Sequence, residues 1–145
     1  DLKNTEIDAR ENLRGGPSYL IHTVKEVIVE EPDAKVVIIL GSDSFVQIHS
    51  WYKWEELLNL ADFIIMKRPG HSLLKNKKAY DLVSKNASIT DLLKNNAKKN
   101  ILEVEVIPNR VSSSLIKQKI SRGQTVKSLV SPAVNNYLKK HSLYE

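Results

Sequence analysis

Three consecutive serines, Ser112, Ser113 and Ser114, stand between a strand-like run and a helix-like one, followed by Lys117 and, further on, Arg122. A helix that opens on serines after a strand and a short loop presents free backbone N–H groups and hydroxyls at the positive end of its dipole. That arrangement holds anions such as phosphate. The plainer alternative is that one serine caps the helix and the other two are solvated. Two further polar corners are "GSDS", residues 41–44, and "RPG", residues 68–70, the latter offering Arg68 as a cation. The chain has no cysteine, which removes disulfides, thiolate catalysis and cysteine-ligated zinc. His22, His49, His71 and His141 are isolated from one another, without the spacing of a metal site.

The elements that position these corners follow from the hydrophobic pattern. Residues 4–9, "NTEIDA", are compatible with extended structure, and "RGGP" at 14–17 breaks the chain. A helix follows, with Ser18 as its expected cap and Ile21, Val24, Val27 and Ile28 along one face, until Pro32 forbids continuation. "KVVIIL", 35–40, is a continuous apolar run of the kind expected for a parallel strand buried on both faces. "WYKWEELLNLA", 51–61, predicts a helix packing Trp54, Leu57, Leu58 and Ala61, and "DFIIMK", 62–67, a second buried strand. Residues 72–100 are helical in part, around Leu73, Leu74, Tyr80, Leu82 and Val83, then Leu92 and Leu93. "ILEVEVI", 101–107, predicts a third strand that Pro108 stops, and helices are expected over 113–121 and 132–141, the latter opened by Ser131 and Pro132.

Strands alternating with helices imply an α/β fold, a parallel sheet with helices on both faces, because each parallel pair needs a crossover. In such sheets ligands bind beyond the carboxyl ends of the strands, where "GSDS", "RPG" and "PNRVSSS" all fall. A length of 145 residues with 41% hydrophobic content suits one domain, and no second full domain is expected. Neither a membrane span nor a secretory signal is visible, so the chain reads as cytoplasmic, without a membrane partner. The net charge of +5 suits an anionic partner without choosing one. Much of it sits in Lys75, Lys77, Lys78, Lys85, Lys94, Lys98 and Lys99, a segment with few aromatics to stack bases, which reads as a solvated face rather than a nucleic-acid site.

"SYLIHT" at 18–23, "GSD" at 41–43, "WYKW" at 51–54, "RPG" at 68–70, "VSSSLIK" at 111–117 and the tail "LVSPAVNNYLKKHSLY" occur in this order. Together they resemble the bacterial nicotinate-nucleotide adenylyltransferases of the nucleotidyltransferase superfamily, from about Glu6 to Tyr144. The resemblance implies a Rossmann-like fold and transfer of the adenylyl group of ATP to nicotinate mononucleotide, with magnesium, giving deamido-NAD and pyrophosphate. It implies that Ser112, Ser113, Ser114 and Lys117 hold ATP phosphates, and that Gly41 and Asp43 also serve the ATP side. It assigns Ser18, Tyr19, Leu20, Thr23, Trp51, Tyr52 and Arg68 to the mononucleotide. Trp51 and Tyr52 match the pair that packs against the nicotinate ring, so a stacking role is expected of Trp51 and core packing of Trp54.

The chain departs from the family pattern in places. Leu20 replaces a threonine, His22 an acidic residue and Lys117 an arginine, so a bidentate fork becomes a point charge at the last position. The family's His-x-Gly-His signature is absent from the 145 residues, and no catalytic residue is identified among them. The expectation is therefore a single nucleotidyltransferase domain over 1–145 that is incomplete at its N-terminus and lacks the first βαβ unit. A chain lacking those strands exposes a sheet edge, which makes a homo-oligomer one expectation. The alternatives are a phosphopantetheine adenylyltransferase-like enzyme, whose helix also opens on serines, and a non-catalytic nucleotide-binding or nucleic-acid-binding module. Preference for nicotinate over nicotinamide mononucleotide stays open.

Overall fold

A computed structural model of the chain describes residues 3–68, 73–84, 88–93, 99–107 and 111–144. Two compact units are described separately, Asp1–Val106 and Ile107–Glu145.

The first unit opens with α1, the single turn Arg10–Leu13, where the sequence suggested extended chain nearby. α2, Leu20–Glu30, buries Ile21 and Val24, three residues apart on one face, and packs Leu20 and Ile28 beside them. Ser18 does not cap it. The residue at the cap is Tyr19, with no side-chain hydrogen bond, and Ser18 Oγ instead accepts from Arg14 Nη1 at 3.1 Å. Arg14 also pairs with Glu26 of α2 at 2.8 Å, and Arg10 donates to Glu30 at 2.6 Å, so two arginines tie the first turn to the side of the second helix.

Three strands form one parallel sheet in the order β1 Val37–Gly41, β2 Asp62–Lys67, β3 Ile101–Glu105, as the alternating pattern predicts. Between β1 and β2 lie the turn α3, Ser42–Phe45, a 3-10 turn at Ile48–Ser50, and α4, Trp54–Leu60. Between β2 and β3 lie a 3-10 turn at Leu73–Lys75, α5 at Lys77–Asp81 and α6 at Ile89–Leu93. Asn76 caps α5 by accepting from the Ala79 N–H, and its amide donates to the Val46 carbonyl, fixing the crossover to the first loop. The core comprises Ile21, Phe45, Ile48, Leu57, Ala61, Phe63, Ile65, Leu73 and Ala79, with Trp54 and Leu58 packed against it as α4 predicts.

Two strand expectations need correction. β1 is not buried on both faces: Ile38 and Leu40 pack against the core while Ile39, which points to the opposite face, is 61% exposed. β3 ends at Glu105 rather than 107, and Ile107 is 97% exposed beyond the last register partner, Lys67 with Glu105. At the opposite end of the sheet the buried Asp62 accepts from the Asn100 N–H at 2.6 Å and faces Lys35 Nζ at 3.3 Å. A carboxylate at zero exposure is tolerable because both partners meet it.

The second unit holds α7, Ser113–Ser121, and α8, Pro132–Lys140, with the boundaries the sequence suggested to within a residue. Ser131 accepts from the Val134 N–H and Pro132 takes the first helical position, where its missing N–H costs nothing. Both helices close with the same pair of bonds. The Gly123 and Gln124 N–H groups reach the Ile120 and Lys119 carbonyls, and those of Ser142 and Leu143 reach Lys139 and Leu138. This closure needs a left-handed residue just past the helix: Gly123 supplies it at φ 66°, Ser142 at φ 45°.

Candidate active site

The first corner lies at the carboxyl end of β1 and β2. Gly41 ends β1, and Ser42, fully buried, accepts the Arg68 N–H at 3.0 Å, which locks the two strand exits together. Arg68 Nη1 then donates to Asp43 Oδ2 at 2.9 Å. The other oxygen, Asp43 Oδ1, is buried with no partner among the described residues. A side chain at position 41 would run into Oδ1 and approach Arg68 Nε to 3.2 Å, so the Asp43–Arg68 arrangement is kept only with a glycine there, and otherwise those side chains must shift. Gly41 is in ordinary extended backbone at φ −79°, and the requirement is for space, not for conformational freedom. A buried, unmatched carboxylate oxygen beside a partly exposed guanidinium can accept a hydroxyl and counter an anion in one place.

The second corner is a cleft of about 400 Å³ beside the start of α2, lined by Glu11, Ser18, Tyr19, Leu20, Trp51 and Tyr52 among others. The rings of Tyr19 and Tyr52 lie 4.5 Å apart at 31°, and His22 meets both edge-on at 5.9 Å. His22 thus packs as part of an aromatic wall. Lys53 turns the chain into α4 in left-handed backbone, φ 52°, and its ammonium lies 5.5 Å from the Tyr52 ring centroid. Trp51 lines the cleft and also packs against the core, while Trp54 lies against His49 with ring centroids 4.4 Å apart at a tilt of 54°.

The structure brings Ser18, Tyr19, Leu20, Trp51 and Tyr52 to one cleft, and Gly41 and Asp43 to one corner. Arg68 belongs with Asp43 rather than among the cleft residues, and Thr23 faces α1, donating to Glu11 Oε1 at 2.6 Å. Pro69 and Gly70 of "RPG" lie outside the described residues, as do Lys85, Lys94 and Lys98. Glu11 and Arg14 were not singled out from the sequence. Their only signal is a polar run before "RGGP", and their places depend on contacts with α2.

The third group lies in the second unit. Ser112 Oγ accepts from the Leu115 N–H at 3.2 Å and caps α7, as the plainer expectation had it. Ser113 and Ser114 are exposed, and no bond between described residues takes up their N–H groups. Ser113 and Lys117, four apart, share a helix face. Both features of the serine run therefore coexist, one committed cap and two open donor positions.

A parallel sheet with polar corners at its strand exits and a separate serine-opened helix define a Rossmann-like nucleotidyltransferase architecture. The chain belongs to the cytidylyltransferase-like family, whose model matches residues 4–119, and within it to the nicotinate-nucleotide adenylyltransferases. It is 30% identical over 146 residues to a probable nicotinate-nucleotide adenylyltransferase of Shewanella sp. (strain MR-4), covering 99% of this chain and 69% of that protein. Its identity to the probable nicotinate-nucleotide adenylyltransferase of Lactiplantibacillus plantarum is 32%, over 96% of this chain and 56% of that one. Among solved structures, Plasmodium falciparum nicotinic acid mononucleotide adenylyltransferase complexed with APC matches with a TM-score of 0.61 at 18% identity. The match covers 90% of this chain and 60% of the solved one, a likeness of fold. The chain thus spans about 70% of the first relative and 60% of that solved chain. These names favour the nicotinate reading of the motifs over the phosphopantetheine one. Among the described residues no helix is long and apolar enough to cross a membrane.

Proposed function

We propose that the protein transfers the adenylyl group of ATP to nicotinate mononucleotide, forming deamido-NAD and pyrophosphate. The observation that carries this reading is the aromatic cleft assembled from Ser18, Tyr19, Leu20, Trp51 and Tyr52, five of the seven residues expected on the mononucleotide side. In the reaction a phosphate oxygen of the mononucleotide attacks the α-phosphorus of ATP, and the bond to the pyrophosphate oxygen breaks. Both partners are anions, so the residues of this chain serve to bind, align and screen charge.

In this reading the pyridine ring lies against the Trp51 and Tyr52 side of the cleft, and the exposed Tyr19 hydroxyl edge and backbone N–H groups near Ser18 meet its substituent. Gly41 gives room for close approach of a substrate, and Asp43 Oδ1 accepts from a sugar hydroxyl. In the first unit Arg68 offsets phosphate charge; in the second, Lys117 does so and the open N–H groups of Ser113 and Ser114 donate to phosphate oxygens. Magnesium accompanies ATP, supplying charge neutralisation on the phosphates. Were the ion held by this chain as well as by its nucleotide, Asp43 Oδ1 would supply it a carboxylate oxygen, in place of accepting the sugar hydroxyl. Residues 1–145 are proposed to belong to one nucleotidyltransferase domain, incomplete at its N-terminus, in a cytoplasmic setting for which the lack of cysteine is the support.

The test is substrate-selective kinetics in the full protein. Trp51→Ala is expected to raise KM for the mononucleotide by roughly tenfold or more and leave KM for ATP nearly unchanged, since a lost ring face removes binding on one side only. Equal effects on both substrates would mean that Trp51 serves only the core.

A further inference from the structure

Lys117 carries its ammonium over the ring of Tyr144, with Nζ 5.0 Å from the ring centroid, and both residues belong to the Ile107–Glu145 unit. The chain reaches that position by an uncommon backbone path. Ser142, at φ 45°, closes α8 in the manner already described, and Tyr144 then takes a second left-handed step at φ 70°. An aromatic residue rarely adopts this conformation unless its surroundings hold it there. Between the two steps Leu143 turns into a cavity of about 480 Å³ lined also by Ile120, Val126 and Leu138, which anchors the turn on the two helices.

The contact differs in kind from a surface ion pair. Among the described residues no carboxylate lies within ion-pairing distance of Lys117. A ring face attracts an ammonium through its quadrupole and narrows the positions of a long, flexible side chain, yet leaves its charge uncompensated. A carboxylate in the same place would neutralise the lysine and compete with any incoming anion.

We propose that Tyr144 is a positioning residue for the nucleotide. Its ring holds the Lys117 ammonium ready, and still fully positive, for a phosphate oxygen of ATP. The inference rests on the reading of Ser112–Lys117 as a phosphate-binding segment and assigns to the C-terminal turn a role in ATP affinity that its exposed surface alone does not suggest.

The experiment measures ATP affinity, KM for each substrate and thermal stability in the full protein for Tyr144→Phe, Tyr144→Gly, Tyr144→Leu, Lys117→Ala and the Tyr144→Gly/Lys117→Ala double variant. Glycine suits the backbone at φ 70°, so Tyr144→Gly removes the ring with little cost to the turn, and leucine replaces its bulk without a π face. Tyr144→Gly and Tyr144→Leu are expected to weaken ATP binding by roughly two- to fivefold, with KM for the mononucleotide unchanged. Tyr144→Phe keeps the ring face and is expected to bind ATP like the parent. In the Lys117→Ala background the Tyr144→Gly effect is expected to vanish, because the ring then has no cation to hold. Full ATP affinity in both Tyr144→Gly and Tyr144→Leu, with Lys117→Ala impaired, overturns the positioning role and leaves the phosphate site standing. So does an undiminished Tyr144→Gly effect in the absence of Lys117. Unchanged ATP affinity in Lys117→Ala overturns the phosphate site itself, and the positioning role with it.

Discussion

The corner at Gly41, Asp43 and Arg68 and the start of α7 at Ser112–Lys117, both proposed to meet an anionic nucleotide, are made differently. At the corner, each polar group is fixed by a residue about 25 positions away: Ser42 holds the Arg68 backbone, Arg68 holds Asp43, and one carboxylate oxygen is left buried and unmatched. At the helix start, among the described residues, Ser112 is committed to a bond three residues on, while Ser113 and Ser114 are exposed. The corner is preorganised by packing, and so a small intrusion damages it. The helix start owes its donors to backbone geometry, so side-chain changes there alter charge or stability one at a time.

The largest effect should come from intruding on the corner. Gly41→Ala places a methyl group against Asp43 Oδ1 and Arg68 Nε, both the far ends of side chains that can swing aside. We expect kcat/KM to fall by roughly ten- to a hundredfold, about 1.4–2.7 kcal/mol of lost transition-state stabilisation, while the thermal midpoint changes little because the displaced side chains give way. A loss of stability that matches the loss of activity would remove the contrast with α7. Next in size is Lys117→Ala, expected to weaken ATP binding by about tenfold, as for one charge-assisted contact. Lys117→Arg should preserve or improve affinity by offering two parallel donors. Isothermal titration with ATP reads both.

Smaller effects separate the three serines. Ser112→Ala should lower stability by about 0.5–2 kcal/mol through loss of the cap, whereas Ser113→Ala and Ser114→Ala should leave chemical denaturation unchanged. Equal losses at all three would mean that the serines act as one packed group. The smallest effect concerns the cross-strand pair Lys67–Glu105, at 2.7 Å. The hydrogen bond from Lys67 holds the Glu105 carboxyl below its ordinary 4.5, and the same bond raises Lys67 above its ordinary 10.5. The pair's contribution is therefore complete between those ordinary values. It is lost as pH falls through the lowered carboxylate value and again as pH rises through the raised lysine value. Glu105→Gln should flatten the acid limb of a stability–pH curve slightly, and less so at high salt because both groups are exposed.

The positions of the strands, the two C-terminal helices and their serine caps were legible in the sequence, because each depends on neighbours within three or four positions or on an apolar run, and the parallel direction followed from the helical segments between strands. Ser131 with Pro132 and Ser112 before its helix are of this kind. The identity of the cleft residues was legible only as a set of short motifs in order. Which of them touch was decided by where the starts of α2 and α4 come together. Ser18 had the right type and position for a cap, yet Arg14 claimed its hydroxyl and the helix began beyond it. Arg68 was read as a substrate contact, and the register that sets Gly41 beside Met66 brought it to Asp43. The ring of Tyr144 over Lys117 depends on two left-handed steps that no residue type at 142 or 144 announces. Local hydrogen bonds and periodicity are written in spacing along the chain. Pairings across 25 residues depend on register and packing, which exist only once the sheet and helices have assembled.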